Sequence, residues 1–291
     1  MSDGEPFFVT QDAYRLAESR LTSIEGGLAD LVGHSSAGAG TATVLLGSDD
    51  PRSDFVRTYE ASVFGAEHYD FHEGMKPYER DSLFLVTLDL DARVVAHVKR
   101  IVRARKERVV FDGALLTGIE VVDDRLTATD PQERAGLQEV MFHHQIVDWG
   151  RCFNLTSNIQ TGRCKPTWDR PYSLISYKAV FKLTRIIGID NIFAYMNRLA
   201  VRSLGRVGVE FEPLAGKQFH LPMPGRPGSY DENYAAMCIP GTRHNLEVFT
   251  KEDPERPFTR MVAGLDVPLY RLDEDSSVGG GDHEIQPLLA Q

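Results

Sequence analysis

A run of basic side chains is the first feature of this sequence that could do chemistry. Residues 99–108 contain six Lys and Arg, in a chain whose 32 Lys and Arg are outnumbered by 42 Asp and Glu, for a net charge of −10. Such a cluster at the end of a strand suits the phosphate groups of a ligand or an acidic protein surface. A solvated strand edge is the alternative. The six residues are Lys99, Arg100, Arg103, Arg105, Lys106 and Arg108.

Acidic side chains beside apolar segments form the second set. Glu60 lies close to Val63 and Phe64 on a predicted helix, and Glu79 and Asp81 directly precede an apolar strand. A carboxylate in such a place can accept a proton from an amine or hold an ammonium group, and burial raises its pKa. For each carboxylate, a solvated surface acid is the alternative interpretation.

Three other signals are weak. Gly38 and Gly40 precede a strand instead of following one, so they do not fit a phosphate-binding loop. His143 and His144 would point to opposite faces of a strand, so we expect no metal site. Cys164 has basic neighbours that could lower the pKa of its thiol, but no accompanying His and Asp set is identifiable.

Length and composition set limits on the fold and on the partners. The 291 residues are 42% hydrophobic and 25% charged, as in an ordinary globular protein of one large or two small domains. The acidic balance argues against a nucleic-acid partner. Three cysteines cannot form a disulfide framework. No signal peptide or membrane span is visible, so we expect a cytoplasmic protein, with its oligomeric state left open.

The elements that must position these residues follow a mixed order. Apolar spacing predicts an N-terminal helix within residues 12–32, a helix from Asp54, and a hairpin of two strands, Ser82 to Asp89 and Arg93 to Val102. Strands and helices alternate in the second half. There we expect helices over 131–142, 171–187 and 198–206, and strands over 145–155, 191–196, 209–211 and 234–239.

This order predicts an α/β fold whose sheet is part antiparallel and part parallel. We expect a helical extension and linker over residues 1–40 and one domain over residues 41–250. The polar residues 251–291, which include three consecutive glycines, should form a tail without regular structure.

Four segments of the sequence, taken in their order and spacing, resemble the motifs of a known superfamily. The chain is similar, over about residues 41–240, to the acyl-homoserine-lactone (autoinducer) synthases and to the long-chain N-acyl amino acid synthases, both of the GNAT acyltransferase superfamily. The segments are Glu60–Phe64 with His68–Phe71, Tyr78–Asp81 before its strand, Asp148–Arg151, and Gly188–Arg198 with the following helix.

The resemblance implies a fold and a reaction. The fold would be a GNAT-like, single-domain α/β structure with a mixed, splayed central sheet flanked by helices. The reaction would be acyl transfer from an acyl carrier protein or coenzyme A thioester to the amino group of an amino acid-like acceptor. Donors to the thioester would come from the backbone of a bulged, splayed fourth strand. No tightly bound cofactor is implied, and S-adenosylmethionine is a candidate substrate.

The resemblance also implies roles for individual residues. Asp148 and Arg151 would shape the site, provided that a bulge near Trp149 turns both to one face; an ordinary ion pair is the alternative. Glu60 and Asp81 would hold or deprotonate the amine.

Aromatic and basic residues complete the implied set. Tyr69, Phe71, Phe84 and Trp149 would bind the substrate, since aromatic faces stabilise sulfonium and ammonium groups. A place in the core is the alternative for Tyr69, Phe71 and Phe84, and it is the favoured interpretation for Phe84. The thioester donor would be bound by Lys99, Arg100 and Arg103.

Departures from the family pattern leave three functions open. Glu60 stands where the lactone synthases have Arg, Tyr69 stands where they have Trp, and the acetyltransferase coenzyme loop is not clearly present. Acyl transfer is therefore favoured over lactone synthesis. An S-adenosylmethionine-consuming synthase that releases methylthioadenosine and an inactive GNAT-like binding module are the alternatives.

Overall fold

The structure of this protein is a computed structural model of the chain. The residues that it describes are 25, 27–30, 32, 40–64, 76–103, 119–122, 125–128, 152–167, 170–210, 212–213, 234–239, 242–249, 264, 267–272 and 285–287.

The first half of the chain builds one side of a sheet. Two 3-10 helices, Pro51–Ser53 and Lys76–Asp81, precede a helix and a strand respectively. The other elements of this half are β1 (Thr41–Gly47), α1 (Asp54–Phe64), β2 (Ser82–Asp89), β3 (Val94–Arg103), β4 (Ile119–Val122) and β5 (Arg125–Ala128).

The second half alternates strands and helices. Its elements are β6 (Cys152–Gln160), α2 (Tyr172–Ile187), β7 (Asn191–Asn197), α3 (Arg198–Arg206), β8 (Glu212–Pro213), β9 (Tyr234–Ile239), α4 (Thr242–Val248), β10 (Leu269–Leu272) and β11 (Ile285–Pro287).

Nine strands form one mixed sheet, in the order β11-β10-β1-β2-β3-β6-β7-β9-β8. The pairs β1–β10 and β6–β7 are parallel, and the other pairs of this sheet are antiparallel. The hairpin of β4 and β5 forms a separate two-stranded sheet. The expectation of an α/β fold with a partly antiparallel and partly parallel sheet is therefore confirmed, as is the β2–β3 hairpin.

Both faces of the central strands are buried. In β2, Leu85 packs with α2, while Phe84 and Val86 pack with Phe55 and Val56 of α1, because successive side chains of a strand point to opposite faces. Burial on both faces also explains why β2 is almost continuously apolar. The face covered by α2 and α4 is called the α2 face below, and the opposite one the α1 face.

Both ends of the chain contribute to the structure of the sheet: the N-terminal end packs on one face, and the C-terminal end supplies strands that the sequence does not predict. Leu28 and Val32, one helical turn apart, are buried on the α1 face, as expected for the predicted N-terminal helix. The prediction that residues 251–291 lack regular structure is wrong for β10 and β11. Strand β10 pairs with β1 because a short apolar stretch around Leu269 and Tyr270, both buried, interrupts an otherwise polar tail.

Two predicted elements differ in the structure. Strand β6 begins at Cys152 and runs to Gln160, so it lies further along the chain than the predicted strand over 145–155. The predicted helix over 131–142 lies outside the described residues. By contrast, α2 ends as predicted: Gly188 adopts φ 73° and its N–H donates to the Thr184 carbonyl. This left-handed cap favours glycine and turns the chain into β7.

None of the helices in the described part of the chain is both long enough and apolar enough to cross a membrane.

Candidate functional site

The sheet divides between β6 and β7. These parallel strands pair from Cys152 with Asn191 to Leu155 with Ala194. Beyond that point β6 continues to Gln160 and β7 to Asn197 without pairing to each other, while β6 remains paired to β3. The space between the two strands beyond Leu155 is called the β6–β7 opening below.

A bulge in β6 marks the point where the opening begins. Arg100 of β3 lies opposite Ser157, but the next residue, Ile101, lies opposite Leu155, so Thr156 is the extra residue. A bulge bends its strand and increases the local twist. Because alternate residues of a strand turn their N–H and C=O groups to alternate sides, part of the backbone after Thr156 faces the opening. Such groups can bind an extended ligand that carries amide or thioester groups.

The side chain of Arg100 is the centre of a buried ionic network on the α1 face. Its Nε donates to Ser82 Oγ at 2.9 Å, and its Nη1 donates to Glu60 Oε2 at 3.0 Å. Its Nη2 donates to Glu79 Oε2 at 2.5 Å. Arg100 and Glu60 are each only 1% exposed. The network therefore lies on the α1 face at β3, one strand away from the bulge in β6, at the level where the opening begins.

A second guanidinium completes this network. The Nε and Nη2 atoms of Arg57 both lie 2.5 Å from Glu79 Oε1, and Nη1 donates to Ser53 Oγ and Asp54 Oδ1 at 2.6 Å. Glu79 thus bridges Arg57 and Arg100. The network is named the Arg100 network below and consists of Arg57, Glu60, Glu79, Ser82 and Arg100.

The sequence predicted part of the Arg100 network. The sequence indicates Glu60 and favours Asp81 over Glu79, but the structure places Glu79 between the two arginines; Asp81 is half-buried. Arg57 was missed. Its signal was the three-residue spacing to Glu60, which puts two helical side chains on the same side. The charge of Glu60, opposite to that of the family pattern, is matched here by the pairing with Arg100.

Phe84 lies beneath both guanidinium groups. Its ring centroid is 5.0 Å from Arg57 Cζ and 5.2 Å from Arg100 Cζ, and the side chain is fully buried. Aromatic faces attract cations at these distances. The cations described at Phe84 are thus the protein's own arginines, and the contact with a substrate remains a prediction.

The expected surface cluster of basic residues is corrected at two positions. Lys99 and Arg100 are 0% and 1% exposed, and as neighbours in β3 they point to opposite faces of the sheet. Neither belongs to an exposed basic patch, because β3 is a central strand covered on both faces. Arg103, at the end of β3, is exposed. Binding of the thioester donor by these three residues stays a prediction.

Several predicted site residues lie outside the part of the chain that the structure describes. They are Tyr69, Phe71, Asp148, Trp149 and Arg151. Arg151 directly precedes β6 in the sequence, and the predicted bulge at Trp149 lies outside the described residues as well. The bulge that the structure does show is at Thr156.

A second polar cluster fixes the loop between β6 and α2. Asp89, at the end of β2, accepts hydrogen bonds from the Tyr172 hydroxyl, from Arg170 Nη1 at 3.0 and 3.1 Å, and from the Ala92 N–H at 2.8 Å. Burial alone would raise the pKa of Asp89, but these donors outweigh it and lower the pKa. Arg170 also pairs with Asp91. The cluster holds the start of α2 against the β2–β3 turn.

Cys164 was a weak candidate for a thiol nucleophile, and its surroundings do not favour the thiolate. Burial raises the pKa of its thiol above the ordinary value and outweighs the opposing effects of the hydrogen bond with Tyr172 and of Arg170. A protonated thiol is a poor nucleophile. Among the described residues, no group of three or more His, Cys, Asp or Glu side chains could hold a metal ion.

Comparisons with known proteins give similar folds only. No family model matches the sequence, and no curated protein matches it. One similar solved structure is a CoA-dependent acyl-homoserine lactone synthase, BjaI, with SAM and isopentyl-CoA (TM-score 0.46, 14% identity, covering 79% of this chain and 93% of that one).

Two further similar structures are known. The CoA-dependent acyl-homoserine lactone synthase MesI has a TM-score of 0.43 and 14% identity, and the match covers 77% of this chain and 96% of that one. FeeM, an N-acyl amino acid synthase from uncultured soil microbes, has a TM-score of 0.40 and 11% identity, covering 69% of this chain and 91% of that one. These are the two kinds of enzyme that the sequence resembles.

Proposed function

We propose that this protein transfers an acyl group from a coenzyme A or acyl-carrier-protein thioester to the amino group of an amino acid-like acceptor. The observation that carries the proposal is the β6–β7 opening with the bulge at Thr156. A stretch of strand that is unpaired on one side in the middle of a sheet offers backbone donors and acceptors to an extended ligand, and the amide-containing arm of such a thioester is an extended ligand of this kind.

The reaction requires stabilisation of a developing negative charge. When the amine attacks the thioester carbonyl, the carbonyl oxygen becomes an oxyanion, and the thiol leaves as the carbonyl re-forms. Backbone N–H groups fixed in a strand are pre-oriented donors for such an oxygen. The amine loses one proton overall, the leaving thiolate gains one, and no acyl-enzyme is formed. The raised pKa of the Cys164 thiol is consistent with direct attack by the amine.

The acceptor amine would bind beside the Arg100 network. Arg100 lies opposite Ser157, at the head of the opening, and its partners Glu60 and Glu79 bring two carboxylates to the same place. Carboxylates attract an ammonium group, and guanidinium groups bind a carboxylate in a bidentate manner. Both ends of an amino acid therefore have complementary groups in this network. Asp148 and Arg151 keep their predicted roles in shaping the site, and Asp81 keeps its predicted role in holding or deprotonating the amine.

S-adenosylmethionine is the second acceptor to be tested. The carboxylates of Glu60 and Glu79 would favour an acceptor with an additional positive charge, as on a sulfonium. In that case acylation would be followed by ring closure and release of methylthioadenosine. The cytoplasmic location and the acyl-carrier-protein donor also stay predictions.

Mass spectrometry of the purified protein tests this function. The protein is incubated with an acyl thioester and either a mixture of amino acids or S-adenosylmethionine. We expect an acylated amine to form together with free thiol. Glu79→Gln should abolish product formation while preserving the fold, whereas Arg93→Gln, at an exposed ion pair with Asp30, serves as the control. Thioester binding without turnover by the unsubstituted protein would instead support the binding module.

A further inference from the structure

A layer of polar side chains lies inside the protein on the α2 face of the sheet. Thr43 of β1 and Thr87 of β2 form a hydroxyl–hydroxyl hydrogen bond of 3.1 Å. His97 of β3 lies opposite Thr87, and Lys99 follows two residues later on the same face. Each of these four residues is 0% or 1% exposed. A core position of this kind normally holds an apolar side chain.

Lys99 is the member of this polar layer that contacts helix α2. Its Nζ lies 3.1 Å from the centroid of the Tyr177 ring in the second turn of α2. Within the described residues, three buried side-chain atoms have no hydrogen-bond partner, namely Lys99 Nζ, His97 Nδ1 and Ser176 Oγ. His97 lies two residues before Lys99 on β3, and Ser176 directly precedes Tyr177 on α2.

Among the described residues, no hydrogen-bond partner offsets the cost of burying the Lys99 amine. Burial lowers the pKa of Lys99 well below its ordinary value, and both burial and Lys99 lower that of His97. A ring face offsets only part of the cost of burying an ammonium group, which needs a counter-charge and hydrogen bonds. A methionine of similar length would fill the same space without this cost. The buried amine therefore does not serve stability, and its presence indicates a role in binding a ligand.

The position of Lys99 connects it to the β6–β7 opening. In the register of the sheet, Lys99 lies opposite Asn158, in the part of β6 that has separated from β7. Its neighbour Arg100 points to the α1 face, where the acceptor is proposed to bind. A chain that enters through the opening and continues toward α2 would thus pass within one strand of Lys99, which is about 4.8 Å in a sheet.

We propose that Lys99 binds a carboxylate at the far end of the donor's acyl group, so that the preferred donors are thioesters of dicarboxylic acids. This inference rests on the proposed function. The ligand carboxylate supplies the counter-charge that the site lacks, and Lys99 takes up a proton from solvent when it binds. His97 and Ser176 supply further hydrogen-bonding groups. The predicted contact between Lys99 and the donor is thereby kept, but at the acyl end instead of at the phosphates.

Matched pairs of thioesters test this proposal. Each pair has the same chain length with and without the terminal carboxylate: succinyl- and butyryl-CoA, adipoyl- and hexanoyl-CoA, suberoyl- and octanoyl-CoA. For at least one length we expect kcat/KM to be higher for the dicarboxylic member. Lys99→Met should lower the ratio of kcat/KM between the dicarboxylic and the monocarboxylic member of that pair about 100-fold, as for loss of one partner of a buried charge pair.

The control is Lys182→Met, the same substitution on α2, the helix that Lys99 contacts; the Lys182 amine donates to the Val267 carbonyl at 2.7 Å. It should leave the selectivity ratio unchanged. Turnover that favours the monocarboxylic members, or a ratio that Lys99→Met does not alter, overturns the proposal for Lys99 while the proposed function stands.

Calorimetric titration with the same pairs of thioesters distinguishes failure of the proposed function from failure of the Lys99 proposal. If no thioester is turned over but the dicarboxylic members bind more tightly, and Lys99→Met removes the preference, the proposed function fails and the Lys99 site is supported. If no thioester binds, both are overturned.

Discussion

At the scale of single residues, the Arg100 network shows how a buried charge is kept in the core. Arg100 donates to Ser82, Glu60 and Glu79, so each of its nitrogens has an acceptor. A buried ion pair of this kind contributes little net stability, because removing two charges from water costs about as much as their attraction returns. Removing one partner alone is costly, since the other is then left buried without a counter-charge.

The first prediction compares the loss of one partner of this buried pair with the loss of both. Glu60→Ala should lower the free energy of unfolding by about 3–5 kcal/mol, as for one partner of a buried pair. The double substitution Glu60→Leu with Arg100→Met should recover most of that loss, because Glu79 still pairs with Arg57. Urea unfolding measures both. Acyl transfer should stay abolished in the double variant; activity there would show that the network is only structural.

The second prediction concerns the pH dependence of stability at Lys99. Because the folded-state pKa of Lys99 is lowered, the unfolded state binds more protons between that pKa and about 10.5, and stability rises with pH across this window. Tyr177, which faces Lys99, has its pKa raised by burial, and the pKa of His97 is lowered, so neither titrates between pH 8 and 10.

Lys99→Met should therefore raise the melting temperature of the ligand-free protein at pH 8, and this gain should shrink as the pH approaches 10. Thermal unfolding at three pH values measures it. A gain that is independent of pH would mean that Lys99 titrates normally in the folded protein.

At the scale of elements, the Asp89 cluster fixes the entry to α2. Helix α2 follows Pro171 without a side-chain cap, so its start depends on Tyr172 and Arg170, which both donate to Asp89. A Cβ atom at Gly40 would lie 3.0 Å from Arg170 Nη2, so a larger residue there would have to displace this guanidinium group slightly. The cluster thus joins β1, the β2–β3 turn and α2.

The third prediction tests the charge of Asp89. Its pKa is lowered in the folded protein, so its contribution is present above the ordinary value of 3.8 and is lost as the pH falls through the folded pKa. Asp89→Asn should lower the free energy of unfolding by about 2 kcal/mol at pH 7, as for hydrogen bonds to a charged group. The control Asp91→Asn removes an exposed partner of the same Arg170.

Urea unfolding at pH 7 and below pH 4 measures the difference. The deficit of Asp89→Asn should diminish at the lower pH, and that of Asp91→Asn should be small throughout. Equal deficits for the two variants would contradict the assigned role of Asp89.

Local patterns in the sequence predict the elements better than they predict their partners. Two apolar runs joined at Asp91 and Ala92 predict the β2–β3 hairpin, and Gly188 predicts the end of α2, because both depend on residues close in the chain. The pairing of β10 with β1 joins positions more than 200 residues apart, and the composition of the tail conceals it. Likewise, the choice of Glu79 over Asp81 depends on where Arg57 and Arg100 meet, which spacing along one strand does not show.

At the scale of the whole molecule, the opening lies in the middle of a sheet that is covered on both faces. The Arg100 network is on the α1 face and Lys99 is on the α2 face, directly next to each other in β3. A ligand between β6 and β7 would therefore lie one strand away from both sets of side chains. This arrangement would keep the acceptor and the far end of the acyl group on opposite sides of one sheet.

The fourth prediction is a pattern of amide protection. Binding of an acyl-CoA should slow hydrogen exchange in residues 156–160 of β6, whose partner strand has departed, more than in β1, which is paired on both sides. Hydrogen exchange detected by mass spectrometry measures both segments with and without ligand. Protection confined to β4 and β5 would place the ligand elsewhere.

Acyl transfer itself is the central claim, and product formation tests it most directly. Purified protein is incubated with a panel of acyl-CoA thioesters, an amino acid mixture and S-adenosylmethionine, and the products are identified by mass spectrometry. The account predicts an N-acylated acceptor formed in step with free coenzyme A, and absent with Glu79→Gln. Thioesters that bind at the β6–β7 opening but yield no acylated amine, from coenzyme A or from a carrier protein, would contradict it.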